Sequence, residues 1–188
     1  EIVTIPASVT NIGNAAFADC SNLATMMVEA GNKVYDSRNG CNAIIKKETN
    51  TLIAGCKNTK IPDDVTSIGD FAFEGCIGLT IVTIPAGVTY IGNDAFYNCT
   101  AVTDVYCNAD PEELTWVEGD CDDFKEDGST IIHVADADPW NAKFGCVVNG
   151  IFRDSSPIKT VDWEYNSTTK TLTFSGTGLI PSYYDPRS

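Results

Sequence analysis

The chain has 188 residues, of which 43% are hydrophobic and 20% charged, so it can bury a substantial core and does not have a disordered composition. Its 12 basic and 26 acidic residues give a net charge of −14, which disfavours nucleic acids and anionic membranes as partners because both would repel it. No run of 18 apolar residues occurs, so we expect no membrane insertion. The first residues already belong to a repeat and the last ones read as unfinished, so we expect the chain to be part of something longer.

The first half of the chain repeats a pattern of 23 residues. Three copies, which start at Ile5, Ile61 and Ile84, contain Ile-Pro, Val-Thr, Ile-Gly, Ala-Phe and Cys in the same order. In each copy Phe follows Pro by 11 positions and Cys follows Pro by 14. The second and third copies lie 23 residues apart, whereas the first and second lie 56 apart, which leaves room for an irregular unit at about 30–60. Such a repeat predicts a solenoid, because each unit can bury its upper and lower surfaces only against neighbouring units.

The residues around the Ile-Pro pair predict a β-strand with one buried face. In the third copy Leu79, Val82 and Ile84 are apolar and would face the core, so Ile81 and Thr83 would face outward. The proline that follows has no N–H group to continue a strand ladder, and it therefore ends the strand.

The remainder of the unit predicts a second extended segment followed by a turn. Val88 and Ile91 are expected to enter the core from that segment. Gly92 would allow a sharp turn because glycine can adopt a positive φ. The residues from Ala95 to Cys99 have helix-like spacing, so one helical turn is expected to close the coil.

The cysteines are explained best by the repeat. Cys20, Cys76 and Cys99 occupy equivalent positions, so we expect a ladder of buried, reduced thiols that act as small hydrophobic side chains. The eight cysteines contain no Cys-x-x-Cys, and the single His133 cannot complete a zinc set of the usual spacing. We therefore predict no metal site and no cofactor, and a structural role for His133. A disulfide within the group at 107, 121 and 146 stays open.

The repeat pattern resembles the BspA-like leucine-rich repeat, a 23-residue variant found in surface proteins of anaerobic bacteria and some mucosal protists. The resemblance covers residues 1–107, and the irregular unit, with Gly31-Asn32 and Tyr35, is similar to a longer unit that the family often carries. It implies a β-rich, right-handed leucine-rich-repeat solenoid with a parallel sheet on the concave face.

Residues 108–153 are predicted to cap the solenoid. A strand at 131–134 and the aromatic pair Trp140 and Phe144 would cover the last open core, as in the family's closing unit. The acidic stretch at 118–127 lacks the ligand pattern of an EF-hand loop, because Phe124 and Lys125 occupy its fifth and sixth positions. We expect a solvated loop there, with a weak calcium site as the alternative.

Residues 155–188 predict an incomplete β-hairpin motif that begins a further module. Alternating runs at 161–165 and 171–178 flank a polar turn at 166–169. An isolated hairpin is marginally stable in water, so we expect it to pair with the cap, with further sequence or with another copy.

The resemblance implies a secreted or surface-anchored bacterial protein that contacts host proteins, glycans or other cells. We therefore predict a non-catalytic recognition or adhesion module in the extracellular space or on the bacterial surface, and no nucleic-acid partner. The alternative is a structural stalk that presents another domain, and an enzyme is the least favoured class. A stalk would expose a bland, threonine-rich face, whereas a recognition module would expose apolar or aromatic side chains.

The strand register predicts where binding would occur. Carrying the outward positions through the repeat offsets of 23 and 56 gives two exposed rows, namely Thr4, Met27, Lys60, Thr83 and Tyr106, and Ile2, Thr25, Asn58, Ile81 and Asp104. From these rows we select Met27, Ile81, Thr83 and Tyr106 as candidate ligand-binding residues on the concave face. The alternative is that a neighbouring loop or other parts of the protein cover them.

Overall fold

A computed structural model describes residues 1–117 and 130–135, together with the backbone of two strands at 162–166 and 171–175. The described residues form a nearly all-β solenoid of about five coils, which confirms the predicted fold class. They include no helix long and apolar enough to cross a membrane. The strands are β1 Ile2–Ile5, β2 Thr25–Val28, β3 Tyr35–Asp36, β4 Ala43–Lys46, β5 Thr51–Gly55, β6 Ser67–Ile68, β7 Ile81–Ile84, β8 Tyr90–Ile91, β9 Asp104–Cys107, β10 Thr115–Trp116, β11 Ile131–His133, β12 Asp162–Asn166 and β13 Thr171–Ser175, and a 3-10 turn spans Arg38–Gly40.

Two sheets run along the solenoid. The front sheet consists of the strands that end at the Ile of each Ile-Pro pair, together with the equivalent strands of the other coils. It has two separate parts, β1–β2 and β7–β9–β11, and the strands of each part pair in parallel. The side sheet contains the second extended segments, with the order β10–β8–β6–β5–β4–β3. Val88 and Ile91 point from this side into the core and are fully buried, as the sequence predicts.

The third side of each coil is a series of tight turns, so the predicted helical turn is wrong. Asp94 and Asn98 both have positive φ, and a left-handed residue interrupts a right-handed helix. The turns stack on one another through backbone hydrogen bonds, in which the Phe73 N–H donates to the Ala95 carbonyl at 2.7 Å. The same two positions are left-handed in the other regular coils, at Ala15, Phe71, Asp19 and Gly75.

Gly92 is required for a reason other than the predicted positive φ, which it does not have. A Cβ at this position would lie 2.5 Å from the backbone nitrogen of Asp70 and 2.8 Å from the carbonyl carbon of Gly69. The preceding coil therefore leaves no room for a side chain, and glycine is needed for close stacking rather than for an unusual dihedral angle.

A continuous apolar core fills the regular coils. Phe73 stacks on Phe96 with ring centroids 5.0 Å apart and planes 9° from parallel, and Trp116 packs edge-on against Phe96 at 6.3 Å. The three rings lie in successive coils, and each is at least nine-tenths buried. The aromatic stack therefore links the coils through the middle of the solenoid.

The irregular unit at 30–60 is an antiparallel hairpin of β4 and β5, and β5 pairs in parallel with β6. The two faces of the hairpin pack on different cores. Ile44 and Ala54 pack toward the first unit, whereas Ile45 and Leu52 pack toward the regular coils. The hairpin is thus a partition between a small core and a large one.

Asn32 and Tyr35 attach the first unit to the irregular one. The buried Asn32 side-chain amide donates to the carbonyls of Pro6 and Val9 at 2.9 and 3.0 Å and accepts from the Tyr35 N–H at 2.8 Å. The Tyr35 hydroxyl accepts from the Ile12 N–H at 3.1 Å. These bonds satisfy backbone groups at the turn between the two units, which are not paired with a neighbouring strand.

The cysteine ladder differs from the prediction at one position. Cys76 and Cys99 are buried and free, as predicted, but Cys20 is exposed because no coil packs on the outer side of its turn in the described part of the chain. Cys56, from the hairpin, is buried in its place, and its proximity adds to the burial that raises the pKa of Cys76 to about 11. Burial also raises the pKa of Cys99.

The stack continues beyond residue 107. β10 pairs with β8 and β11 pairs with β9, and the buried Thr130 hydroxyl donates to the Val102 carbonyl at 3.2 Å. The predicted strand at 131–134 is confirmed at Ile131–His133, and β12 and β13 pair antiparallel as the predicted hairpin requires. Trp140, Phe144, the acidic stretch at 118–127 and the cysteines at 121 and 146 lie outside the described residues, and the proposed division into solenoid, cap and hairpin stays a prediction.

Replacing Phe73 with Ala should lower the free energy of unfolding by about 3–5 kcal/mol, because it removes a buried ring from the aromatic stack. The matched control is Phe17→Ala at the equivalent, only partly buried position of the first unit, which should cost less. Chemical denaturation of both variants measures the difference, and equal losses would contradict this account of the core.

Brief alkylation of the folded, unreduced protein at about pH 8 should label Cys20 at least about tenfold faster than Cys76 or Cys99, since the buried thiols hold little thiolate. Peptide mass mapping after unfolding identifies the labelled residues. Rapid labelling of Cys99, or a disulfide that contains Cys76 or Cys99, would show that the ladder is not a buried set of thiols.

Candidate functional site

The exposed side of the front sheet, which we call the front face, carries the two predicted rows. Thr4 pairs with Met27 on β1 and β2, and Thr83 pairs with Tyr106 and then His133 on β7, β9 and β11. The second row follows in the same register and consists of Ile2, Thr25, Ile81, Asp104 and Ile131.

All four candidate ligand-binding residues are exposed on this face, as the outward positions of the strand register require. Met27 is 45% exposed, Ile81 54% and Tyr106 44%, and Thr83 is also exposed. Ile2, at 68%, adds a further apolar side chain beside Met27. Four of the seven large hydrophobic side chains exposed in the described residues therefore lie on one face.

The rows do not run through the middle of the sheet, and the predicted places of Asn58 and Lys60 in them are wrong. The segment 58–61 forms no strand, because its hydrogen bonds lead to the hairpin. The Thr59 hydroxyl donates to the Asn42 carbonyl at 2.6 Å, and the Lys60 N–H donates to the Cys41 carbonyl at 2.9 Å. These bonds pair the segment with the residues that precede β4 rather than with β7, and the Asn58 side-chain amide donates to the Ala24 carbonyl, next to β2, at 3.0 Å.

This interruption, which we call the sheet break, contains an open depression of about 750 Å³. Its lining combines side chains of the hairpin, the 58–61 segment and β7, namely Asn42, Lys57, Asn58, Thr59, Lys60, Ile61, Ile81 and Thr83. The structure thus brings two of the predicted residues, Ile81 and Thr83, to one site, with Tyr106 in the next strand and Met27 in the other part of the front sheet.

A second feature of the front face is a cluster of Asp104, Tyr106 and His133. The His133 ring stacks on Tyr106 with centroids 4.6 Å apart and planes 14° from parallel. His133 Nε2 lies 2.7 Å from Asp104 Oδ1, and because a carboxylate only accepts hydrogen bonds, Nε2 carries the proton. The bond from His133 and one from the Thr103 hydroxyl lower the pKa of Asp104.

His133 belongs to this face, although the repeat pattern does not predict it there. It sits on a strand whose distance from the preceding one is 27 residues rather than 23, so the repeat offset does not reach it. The alternation in Ile131-Ile132-His133, with Ile132 buried, is the signal that could have placed it.

Within residues 1–117 and 130–135, no three His, Cys, Asp or Glu side chains are grouped closely enough to hold a metal ion. Asp104 and His133 provide only two such groups. The alternative calcium site in the acidic stretch lies outside the described residues.

The family model of the BspA type leucine rich repeat region matches residues 1–39 and 43–119 in six copies, which is well over half of the chain. The chain belongs to this family. The BspA-type match extends past residue 107, in agreement with the additional coil that contains β10.

Solved structures of other repeat proteins are similar to this BspA-type chain. A leucine-rich repeat protein from Eubacterium ventriosum shares 26% identity over 57% of this chain, with a TM-score of 0.42. The pneumococcal vaccine antigen PcpA shares 13% over 82%, with a TM-score of 0.45, and a leucine rich cell surface protein from Faecalibacterium prausnitzii shares 22% over 76%, with a TM-score of 0.33. The matches cover 36%, 54% and 50% of those chains, respectively. A search of the curated proteins found no match.

Replacing His133 with Phe should raise the pKa of Asp104 toward its ordinary value, because the ring stack can remain while the hydrogen bond is lost. A carboxyl ¹³C NMR titration measures this change. Since the folded pKa of Asp104 is the lowered one, the pair's contribution to stability is present at neutral pH and is lost as the pH falls through that value.

Thr103→Val should also raise the pKa of Asp104, but by less than His133→Phe, because the Thr103 hydroxyl is the smaller of the two causes. An unchanged titration midpoint in His133→Phe would contradict the assignment of the bond.

Proposed function

We propose that this chain is a non-catalytic recognition module whose front face binds an extracellular protein or glycan of a host or another microbe. The observation that supports it is the clustering of exposed apolar and aromatic side chains on that face, with Met27, Ile81 and Tyr106 prominent among them. Exposed aromatic side chains on a rigid scaffold are suited to act as interface anchors, since they bury a large area with little loss of conformational entropy.

The exposed apolar side chains of the front face favour recognition over the alternative of a structural stalk. A spacer needs only a soluble outer surface, and exposed apolar side chains grouped on a sheet work against solubility. Ile2, Met27, Ile81 and Tyr106 carry this apolar surface. A stalk gives no reason for their grouping, whereas a binding face does.

The Asp104–His133 pair does not favour catalysis. In the residues that the structure describes, no hydroxyl or thiol is hydrogen-bonded to His133, and its ring is stacked on Tyr106. A hydroxyl or thiol within hydrogen-bond reach of the base is the first requirement of a hydrolytic site that works through a covalent nucleophile. Leucine-rich repeats of this family are generally non-catalytic, which agrees with this interpretation.

A location outside the cell, on the bacterial surface or secreted, is part of the proposal. It is supported by the membership in the BspA-type family.

The test is a binding screen of the chain against arrayed matrix proteins, mucins and glycans, followed by variants of the front face. The double variant Tyr106→Ser/Ile81→Ser should weaken any interaction found by about tenfold or more, roughly 1.4 kcal/mol, with the melting temperature nearly unchanged. The control is Tyr90→Ser/Tyr97→Ser, which removes two exposed rings outside the front sheet. Undiminished binding by the folded front-face variant, or equal loss in the control, would move the site to another surface.

A further inference from the structure

The sheet break leaves one edge of β7 without a strand partner. In a β-strand, successive residues direct their backbone groups to opposite edges. The Ile84 carbonyl accepts from the Asn108 N–H at 3.0 Å, so Val82 and Ile84 direct their backbone groups toward β9. Ile81 and Thr83 therefore direct their N–H and carbonyl groups toward the break.

No backbone hydrogen bond joins Ile81 or Thr83 to the 58–61 segment in the described part of the chain. That segment occupies the place in the sequence where a regular repeat would supply the missing strand, but its own bonds lead to the hairpin. The β7 edge consequently faces the open depression of about 750 Å³. Unpaired donors and acceptors on an open edge are a template for one more strand.

The break also carries positive charge in a strongly acidic protein. Lys57 and Lys60 line it, both are exposed, and neither forms an ion pair with any described residue. The chain has only 12 basic residues against 26 acidic ones. Two unneutralised ammonium groups beside a free strand edge therefore favour an occupant with carboxylates.

We propose that the sheet break binds an extended acidic peptide segment of a partner protein, which adds as a strand beside β7. The peptide backbone would pair with the N–H and carbonyl groups of Ile81 and Thr83, and its carboxylates would lie near Lys57 and Lys60. This inference rests on the proposed function of the front face and specifies the partner's chemistry at one part of it.

A peptide fits this edge better than a sugar chain. Ile81 and Thr83 each present one donor and one acceptor, and the two sets are spaced by two residues, or about 6.6 Å. An extended peptide repeats its own donors and acceptors at the same spacing, so that one strand can satisfy all four groups. A glycan has no such period, and its binding would rest on charge and hydroxyl contacts alone.

The probe for the first experiment is a fluorescein-labelled peptide with three Glu-Val repeats, measured by fluorescence anisotropy with the full chain. It should bind, and a Lys-Val peptide of equal length should not. Lys57→Glu/Lys60→Glu should weaken binding at least about tenfold, because it reverses both charges in the break. The control Lys33→Glu/Lys46→Glu makes the same change in net charge away from the break and should leave the affinity within about twofold.

The second experiment tests the backbone pairing. Two further Glu-Val peptides carry N-methyl groups on alternate residues, one on the glutamates and one on the valines, so that charge is constant while one set of N–H groups is blocked. Only one set can face β7, so one peptide should lose at least about tenfold in affinity and the other should bind like the parent. Hydrogen exchange of the Ile81 and Thr83 amides should slow at least about tenfold in the complex.

Three results would overturn the proposal, namely no binding of the acidic peptide, equal affinity of both N-methylated peptides, or stronger binding of hyaluronan with the same dependence on Lys57 and Lys60. The last would make the break a site for an anionic glycan. If the screened partner still depends on Tyr106 and Ile81 while the peptides fail, the peptide site alone is wrong. If that dependence also fails, the front-face function is wrong with it.

Discussion

Direct stacking of one coil on the next is the constraint on which the rest of the structure depends. Backbone hydrogen bonds join neighbouring coils at the front sheet, the side sheet and the turns, so equivalent positions lie at about the strand spacing of 4.8 Å. At this distance the side chains at equivalent positions of two coils are in contact, so a residue type that recurs in the repeat must be able to pack against itself. Phe73 and Phe96 do so as parallel rings 5.0 Å apart, whereas Gly92 is needed because the preceding backbone fills the space of a side chain.

The irregular unit alters this regular stack on one side only. Its hairpin keeps the side sheet continuous, since β5 pairs in parallel with β6, but the 58–61 segment bonds to residues that precede β4 and forms no strand of the front sheet. The result is an open edge and a depression in a surface that would otherwise be a plain ladder. The proposed peptide site therefore lies where the repeat is broken, while the intact coils supply the regular stack around it.

The repeat pattern was sufficient to predict the strands and inward face of the regular copies and the exposed rows on either side of the sheet break, because a position's role within a coil is encoded by local spacing. Leu79, Val82, Ile84 and Phe73 are all buried as predicted. Properties that depend on a neighbouring coil could not be read in this way. The exposure of Cys20, the burial of Cys56 and the displacement of Lys60 depend on which segment stacks on which, and a hairpin inserted between copies changes that without altering the copies themselves. The place of His133 on the front face was not predicted, because its coil is four residues longer than the regular coils of 23 residues.

The division of the interior by the β4–β5 hairpin has a mechanical consequence. Between the regular coils, a pull along the solenoid axis is shared by the front sheet, the side sheet and the turns. At the sheet break the front sheet has no strand pairing, and the load passes through the hairpin of the side sheet, the Asn58 bond to the Ala24 carbonyl and the backbone bond from the Asp19 N–H to the Glu74 carbonyl at 3.0 Å. With one of the three ladders missing, this plane joins its two sides through fewer backbone hydrogen bonds than the planes between the regular coils.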